Sequence, residues 1–238
     1  MGKIRLDKYL ADMGQGTRAE VKKAIKKGRV SVNQEVVKSP ETKIDIDQDF
    51  VSVDGKDIVY EQLVYYMLNK PQGVVSATED RCDKTVLDLI EDKKRKDLFP
   101  VGRLDKDTEG LLLITNDGEL AHNLLAPKKH VDKKYYAKLK APLSEENRKH
   151  LEEGVDIGED KLTMPSQVFV LYEEKDEVHI VIREGKFHQI KRMFHAVGNE
   201  VVFLKRLSMG SLVLDENLPA GACRLLTPEE IERLKENA

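Results

Sequence analysis

The feature that most restricts the fold of this chain is the apolar run Leu111-Leu-Leu-Ile114, set directly behind the charge-dense segment Pro100-Val-Gly-Arg-Leu-Asp-Lys-Asp-Thr-Glu-Gly110. A short, wholly apolar run bounded by turn residues reads as a strand buried on both faces. The glycines at 102 and 110 permit tight backbone geometry on either side of the charged residues. A mixed-charge loop is ordinarily a solvated connector. Here the abutting buried strand would fix its acids against the core, where a carboxylate can be held and tuned. Like the other apolar runs of the sequence, it is short. It falls far short of the roughly 18 residues that a membrane helix requires, so no membrane partner is expected.

Around that strand the elements do not alternate regularly. Residues 4–14 read as a short helix, and Thr17-Arg-Ala-Glu20 forms a capping box that opens a second helix, stopped by Gly28. Short alternating strands follow at 30–32, 36–37, 43–46 and 50–53, then a polar stretch from Val53 to Gln62 reads as a linker. Beyond it come strands at 63–68, 74–76, 111–115, 133–140, 168–171, 178–182, 201–204 and 211–214. Helices are predicted at 85–91, 119–125, from Ser144 to Gly154, and at 187–197, and one opens at Thr227-Pro-Glu-Glu230. This pattern predicts an α+β chain with a mixed, mostly antiparallel sheet. A small domain at residues 1–58 and a linker at 59–62 precede a larger domain at 63–238.

Acidic residues number 43 against 40 basic ones, so the chain is no basic coat protein. The charges are nonetheless segregated, and distribution matters more than the sum. Arg18, Lys22, Lys23, Lys26, Lys27 and Arg29 face one acid, Glu20, and six lysines between Lys128 and Lys140 face Asp132. Arg18, Lys22, Lys26 and Arg29 fall along one helical stripe, where like charges repel. A polyanion relieves that repulsion, and phosphate binding with counterion release is a natural reason to tolerate it. Cys82 and Cys223 lie far apart with no metal spacing, which suits reduced thiols in a cytoplasmic protein. The N-terminus lacks the apolar stretch of a signal peptide, which also points to the cytoplasm.

The segments Arg5-Leu-Asp-Lys-Tyr-Leu-Ala11, Thr17-Arg18, Ile25-Lys-Lys-Gly-Arg-Val30 and Val32-Asn33 resemble the αL-motif RNA-binding domain of a small-subunit ribosomal protein. Gly102-Arg-Leu-Asp105 followed by Gly110-Leu-Leu-Leu-Ile-Thr115 resembles the catalytic signature of pseudouridine synthases. Three further segments fit that family in order: Lys70-Pro-Gln-Gly-Val-Val-Ser76, Lys133-Lys-Tyr-Tyr-Ala137 and Glu184-Gly-Lys-Phe-His-Gln-Ile-Lys-Arg-Met-Phe194. The form of the last is most similar to the branch that acts on 16S ribosomal RNA. The resemblance covers nearly the whole chain.

It implies isomerisation of uridine to pseudouridine in ribosomal RNA, with a partly assembled small subunit as substrate and a monomeric enzyme. The reaction needs no redox step, so no cofactor is implied. Asp105 takes the position of the catalytic aspartate. Its carboxylate can add to the sugar as a nucleophile or remove a sugar proton, and the resemblance leaves both open. Lys191 is the candidate cation that keeps it charged, with Arg192 the alternative. Tyr135 matches the tyrosine that stacks on the target base, and Tyr136 would inherit the role after a one-residue slip. Arg103 resembles the residue that fills the space left by the flipped nucleotide. Lys128, Lys133 and His188 join the basic stripe as expected RNA contacts. His188 and His195 are spaced seven apart without a third ligand, and no metal is expected. Three other readings stay open: a non-catalytic ribosome-assembly factor, the same reaction on 23S RNA or tRNA, and a metal-dependent nuclease built on Asp105, Asp107 and Glu109.

Overall fold

The computed structural model describes residues 3–236 except 92, 94, 172 and 173, so both chain ends of the expected domains lie outside the described residues. The chain divides into two compact units: residues 1–64 with 91–98, and residues 65–90 with 99–238.

In the first unit, β1 (Lys3–Arg5) precedes α1 (Leu6–Asp12) and α2 (Arg18–Lys26). The helix expected over 4–14 thus starts later. Ile4 is taken into a strand pair with Ile44 of β4 (Lys43–Asp45), and the amide of Leu6 bonds to the carbonyl of Thr42. The capping box of α2 forms as its sequence dictates, with Thr17 N donating to Glu20 Oε2 at 2.7 Å and Glu20 N to Thr17 Oγ1 at 3.3 Å. A second sheet runs β3-β2-β5-β6, from β2 (Val30–Val32), β3 (Glu35–Val36), β5 (Val51–Val53) and β6 (Lys56–Ile58). Leu6, Leu10, Val21, Ile25 and Ile44 fill the core.

The stretch read as a polar linker is therefore in part a strand, and Tyr60 continues it by donating its hydroxyl to Asp12 at 3.0 Å. Residues 91–98, which the sequence assigns to the second domain, pack here instead. Arg95 is the reason: it is buried, ion-paired to Asp97 at 2.6 Å and Asp12 at 3.5 Å. It also donates to the Glu61 carbonyl at 2.8 Å and lies 5.2 Å above the ring of Tyr60.

The second unit is one mixed sheet with helices packed on it. Its strands are β7 (Tyr65–Lys70), β8 (Phe99–Pro100), β9 (Glu109–Thr115), β10 (Lys133–Leu139), β11 (Gln167–Val170), β12 (Glu177–Ile182), β13 (Val201–Met209), β14 (Leu212–Val213) and β15 (Cys223–Leu225). The order is β11-β12-β10-β13-β9-β7-β15, with β14 on β13 and β8 on β9; among these strands as described, β13 and β9 are the one parallel pair. The fold is α+β as expected. Leu111 to Ile114 of β9 are fully buried at the centre.

The helices are α3 (Gly118–Leu125), α4 (Glu145–Glu153), α5 (Gln189–Ala196) and α6 (Pro228–Glu236). Asp117, Ser144 and Thr227 bond to free amides at the starts of α3, α4 and α6. Residues 74–76 do not form the expected strand and make only one isolated bridge, Val75 to Thr85. The helix expected from 85 is a single 3-10 turn at Val86–Leu89.

Candidate active site

The loop carrying Asp105 ends where β9 begins, and its position is set by close approach of two strands. Gly110 has φ +102, and a Cβ there would lie 2.2 Å from the carbonyl oxygen of Arg206 on β13. Only glycine allows the parallel pair to close at this point, which brings the loop against the β13 side of the sheet. Two further devices hold the loop. Ser76 Oγ donates to the Leu104 carbonyl at 2.8 Å and accepts from the Leu104 amide at 3.0 Å. Fully buried Lys70, at the end of β7, donates its ammonium to the carbonyls of Asp105 and Thr108 at 2.9 Å each and of Pro71 at 3.1 Å. Burial, partly opposed by the Asp105 carboxylate, pushes the pKa of Lys70 down to about 8.

Asp105 itself is partly exposed and faces α5. Its Oδ2 lies 3.3 Å from the ammonium of Lys191, and its Oδ1 lies 3.5 Å from Nε2 of His188. Lys191 also bonds to Asp107 Oδ1 at 2.5 Å. That bond, before any other influence, holds the Asp107 carboxyl below its ordinary range. Asp105, Lys191, His188, Arg103 and Tyr135 line one pocket, closed by Ile182, Ile190 and Leu204.

The register of β10 puts Tyr135 on this face, opposite Ile180 and Arg206. Tyr136 points the other way and meets His179 and Phe203 edge-on. Of the two adjacent cations, Lys191 reaches Asp105. Arg192 is turned aside to Glu159 at 2.9 Å and to the carbonyls of Phe187 and Ile157. Arg103 is exposed and has no side-chain hydrogen bond or ion pair among the described residues, including none to Asp107 or Glu109.

This arrangement offers an anionic oxygen, an adjacent cation and an aromatic ring around a partly open space. Such a constellation suits attack or proton removal at a sugar carbon with the base held beside a ring. No group of three metal-binding side chains gathers among the described residues.

The model of the RNA pseudouridylate synthase family matches residues 64–196, and that of the S4 domain matches residues 4–51. The chain belongs to the RNA pseudouridylate synthase family.

Relatives match nearly the whole of it. An uncharacterized RNA pseudouridine synthase of Bacillus subtilis is 48% identical over 236 residues, covering 98% of this chain and 99% of its own. The ribosomal small subunit pseudouridine synthase A of Yersinia pestis is 42% identical, covering 96% and 97%. That of Vibrio vulnificus is 41% identical over 96% and 98%. A crystal structure of a pseudouridylate synthase, 39% identical, superposes with a TM-score of 0.69 over 97% of this chain and 99% of that one. The protein is thus an RNA pseudouridine synthase, an isomerase with an S4 domain ahead of its catalytic fold.

In this synthase the expected RNA contacts divide. Arg18, Lys22, Lys26 and Lys128 are exposed, as is Arg29, although Arg29 is paired to Asp54 and Lys22 lies 3.8 Å from Asp7. Lys133 departs from expectation and is no surface contact. It is buried with its ammonium 2.9 Å from the Val131 carbonyl, because its place in β10 turns it to the covered face. Burial first, then the charge of Arg206, lowers its pKa. Sequence reasoning missed Lys70 and Ser76 as supports of the Asp105 loop. Both lie inside the Lys70-Pro-Gln-Gly-Val-Val-Ser76 segment, whose ordered match to the family was the available signal.

Proposed function

We propose that this synthase isomerises a uridine in the 16S RNA of the small ribosomal subunit, with Asp105 as the reacting carboxylate. The observation that carries this reading is the Asp105–Lys191 contact of 3.3 Å in a pocket that also holds Tyr135. The bond from C1′ of the sugar to N1 of uracil breaks, the base turns, and C1′ joins C5. N1 then gains a proton and C5 loses one. Asp105 serves as nucleophile at the sugar carbon or as base toward a sugar proton, and both roles require it ionised. The ammonium of Lys191, 3.3 Å from Oδ2, pairs with the carboxylate.

Tyr135 stacks on the everted uracil, and Arg103, exposed beside the pocket, occupies the gap left in the RNA. His188 borders the same space. The first domain, residues 1–58, docks RNA through Arg18, Lys22, Lys26 and Arg29, with Lys128 and Arg192 as auxiliary basic groups on the second, residues 63–238. The names of the Yersinia and Vibrio relatives support small-subunit RNA as substrate; this reading places that RNA in a partly assembled particle. In this reading the enzyme acts as a monomer, and the substrate class supports a cytoplasmic site of action.

The test is tritium release from RNA labelled at uridine C5. Wild type should release tritium from 16S RNA or assembly intermediates, and Asp105→Asn should not, while still binding RNA. Absence of release by wild type on every ribosomal RNA preparation would overturn the reading.

A further inference from the structure

The reaction pocket has a neighbour. A second hollow is lined by Val75, Ser76, Ala77, Asp80, Lys106 and Phe187, and it shares Arg103, Leu104, Asp105 and His188 with the pocket where uridine is to react. Phe187 is the unusual member: a large apolar ring with 67% of its surface exposed. It is stacked on the imidazole of His188, with centroids 3.8 Å apart and planes 20° apart. One face of the ring is thus covered while most of the residue stays open to solvent.

Its place is fixed from the backbone. The Phe187 carbonyl accepts from Arg192 Nη1 at 3.0 Å, and on either side of it the Lys186 amide bonds to Gln189 Oε1 at 2.9 Å and the Gln189 amide to the Lys186 carbonyl at 3.2 Å. His188 holds the left-handed conformation (φ 49, ψ 33) that starts α5. An exposed aromatic held this firmly is a platform.

We propose that this hollow is a stacking subsite for a nucleobase flanking the target uridine, with Phe187 as its platform. The shared wall places an occupant directly beside the reacting nucleotide. The charges favour a base over a phosphate: Lys106 is neutralised by Asp83 at 2.7 Å, and the cation of Arg103 is outnumbered by the carboxylates of Asp80 and Asp105 on the same lining. A backbone phosphate would meet those carboxylates, whereas a base can stack on the ring and offer a donor to Asp80. The inference rests on the proposed reading of the neighbouring pocket, and it gives Phe187 a binding role with no part in the bond changes.

The experiment compares wild type with Phe187→Ala and Phe187→Trp on C5-tritiated 16S RNA, measuring kcat and KM separately. A single-uridine oligonucleotide with 2-aminopurine next to the uridine, on either side, reports stacking by fluorescence quenching. Expected are a KM raised about 5- to 100-fold in Phe187→Ala, kcat within about twofold, recovery of KM in Phe187→Trp, and quenching on one side that Phe187→Ala abolishes. An unchanged KM with undiminished quenching in Phe187→Ala would overturn the subsite. So would a fall in kcat at constant KM, which would make the ring a support for His188. Loss of tritium release in wild type itself would instead overturn the reading of the reaction pocket.

Discussion

The buried ammonium of Lys70 gives a stability signature that can be worked through. In the unfolded chain a lysine titrates near 10.4; in the fold, burial brings Lys70 down from 10.5 to about 8. Between those values the unfolded chain keeps a proton that the native protein has shed. Stability therefore rises with pH across this window, and the cost of the charged form is fully present below about pH 8. The gap between 10.5 and about 8, at about 1.4 kcal/mol per pH unit, is worth about 3 kcal/mol. Because Lys70 is fully buried, little of this is lost to solvent screening.

Lys70→Met removes the titrating group and keeps the stem. Urea unfolding of both proteins from pH 7 to 10.5 isolates the effect, since every other titrating group, Lys133 included, is common to both. The stability of wild type minus that of the variant should climb above pH 8, at most about 1.4 kcal/mol per pH unit, toward a total near 3 kcal/mol. A flat or falling difference would refute the assignment of a strained, charged lysine beneath the Asp105 loop.

Lys191→Met should lower kcat for tritium release at least about 100-fold and, by removing the bond that holds the Asp107 carboxyl low, raise its titration in carbon-detected NMR; an unmoved Asp107 would contradict the bond. Gly110→Ala forces a Cβ to within 2.2 Å of the Arg206 carbonyl at a φ of +102 and should cost about 2–5 kcal/mol in urea unfolding; a loss under about 0.5 kcal/mol would show that β9 and β13 can part freely. Arg95→Ala, which strips Asp12 and Tyr60 of their buried partner, should destabilise the first unit by about 1–3 kcal/mol, read from hydrogen exchange at its amides, with unchanged protection counting against it.

What could be read from the sequence followed from local chemistry with one outcome. Thr17, Ser144 and Thr227 announced helix starts because a hydroxyl before an amphipathic run has few other uses. The buried β9 followed from an apolar run too short for a helix. Long polar side chains obscured the rest. The apolar pattern ends β13 at Leu204, yet the strand continues through Lys205 and Arg206 to Met209. Arg206 is buried there, its Nε donating to the Leu111 carbonyl at 2.7 Å. Lys70 and Lys133 are likewise buried against carbonyls, and nothing in residue type distinguishes such lysines from solvated ones. The adjacent pairs Tyr135/Tyr136 and Lys191/Arg192 stayed undecided because pleat and helix phase settle them, and a shift of one residue reverses each.

The return of residues 91–98 to the first unit means the backbone passes between the units three times, near residues 64, 90 and 98. The RNA-binding module is therefore not a detachable bead on a string. A protease cutting once near residue 64 would leave the amino-terminal fragment gripped through Arg95, and a recombinant piece ending there would lack the arginine that covers Tyr60. Domain exchange among such enzymes would have to carry a short internal peptide along with the amino-terminal sequence, a linkage that makes the two parts inherit together.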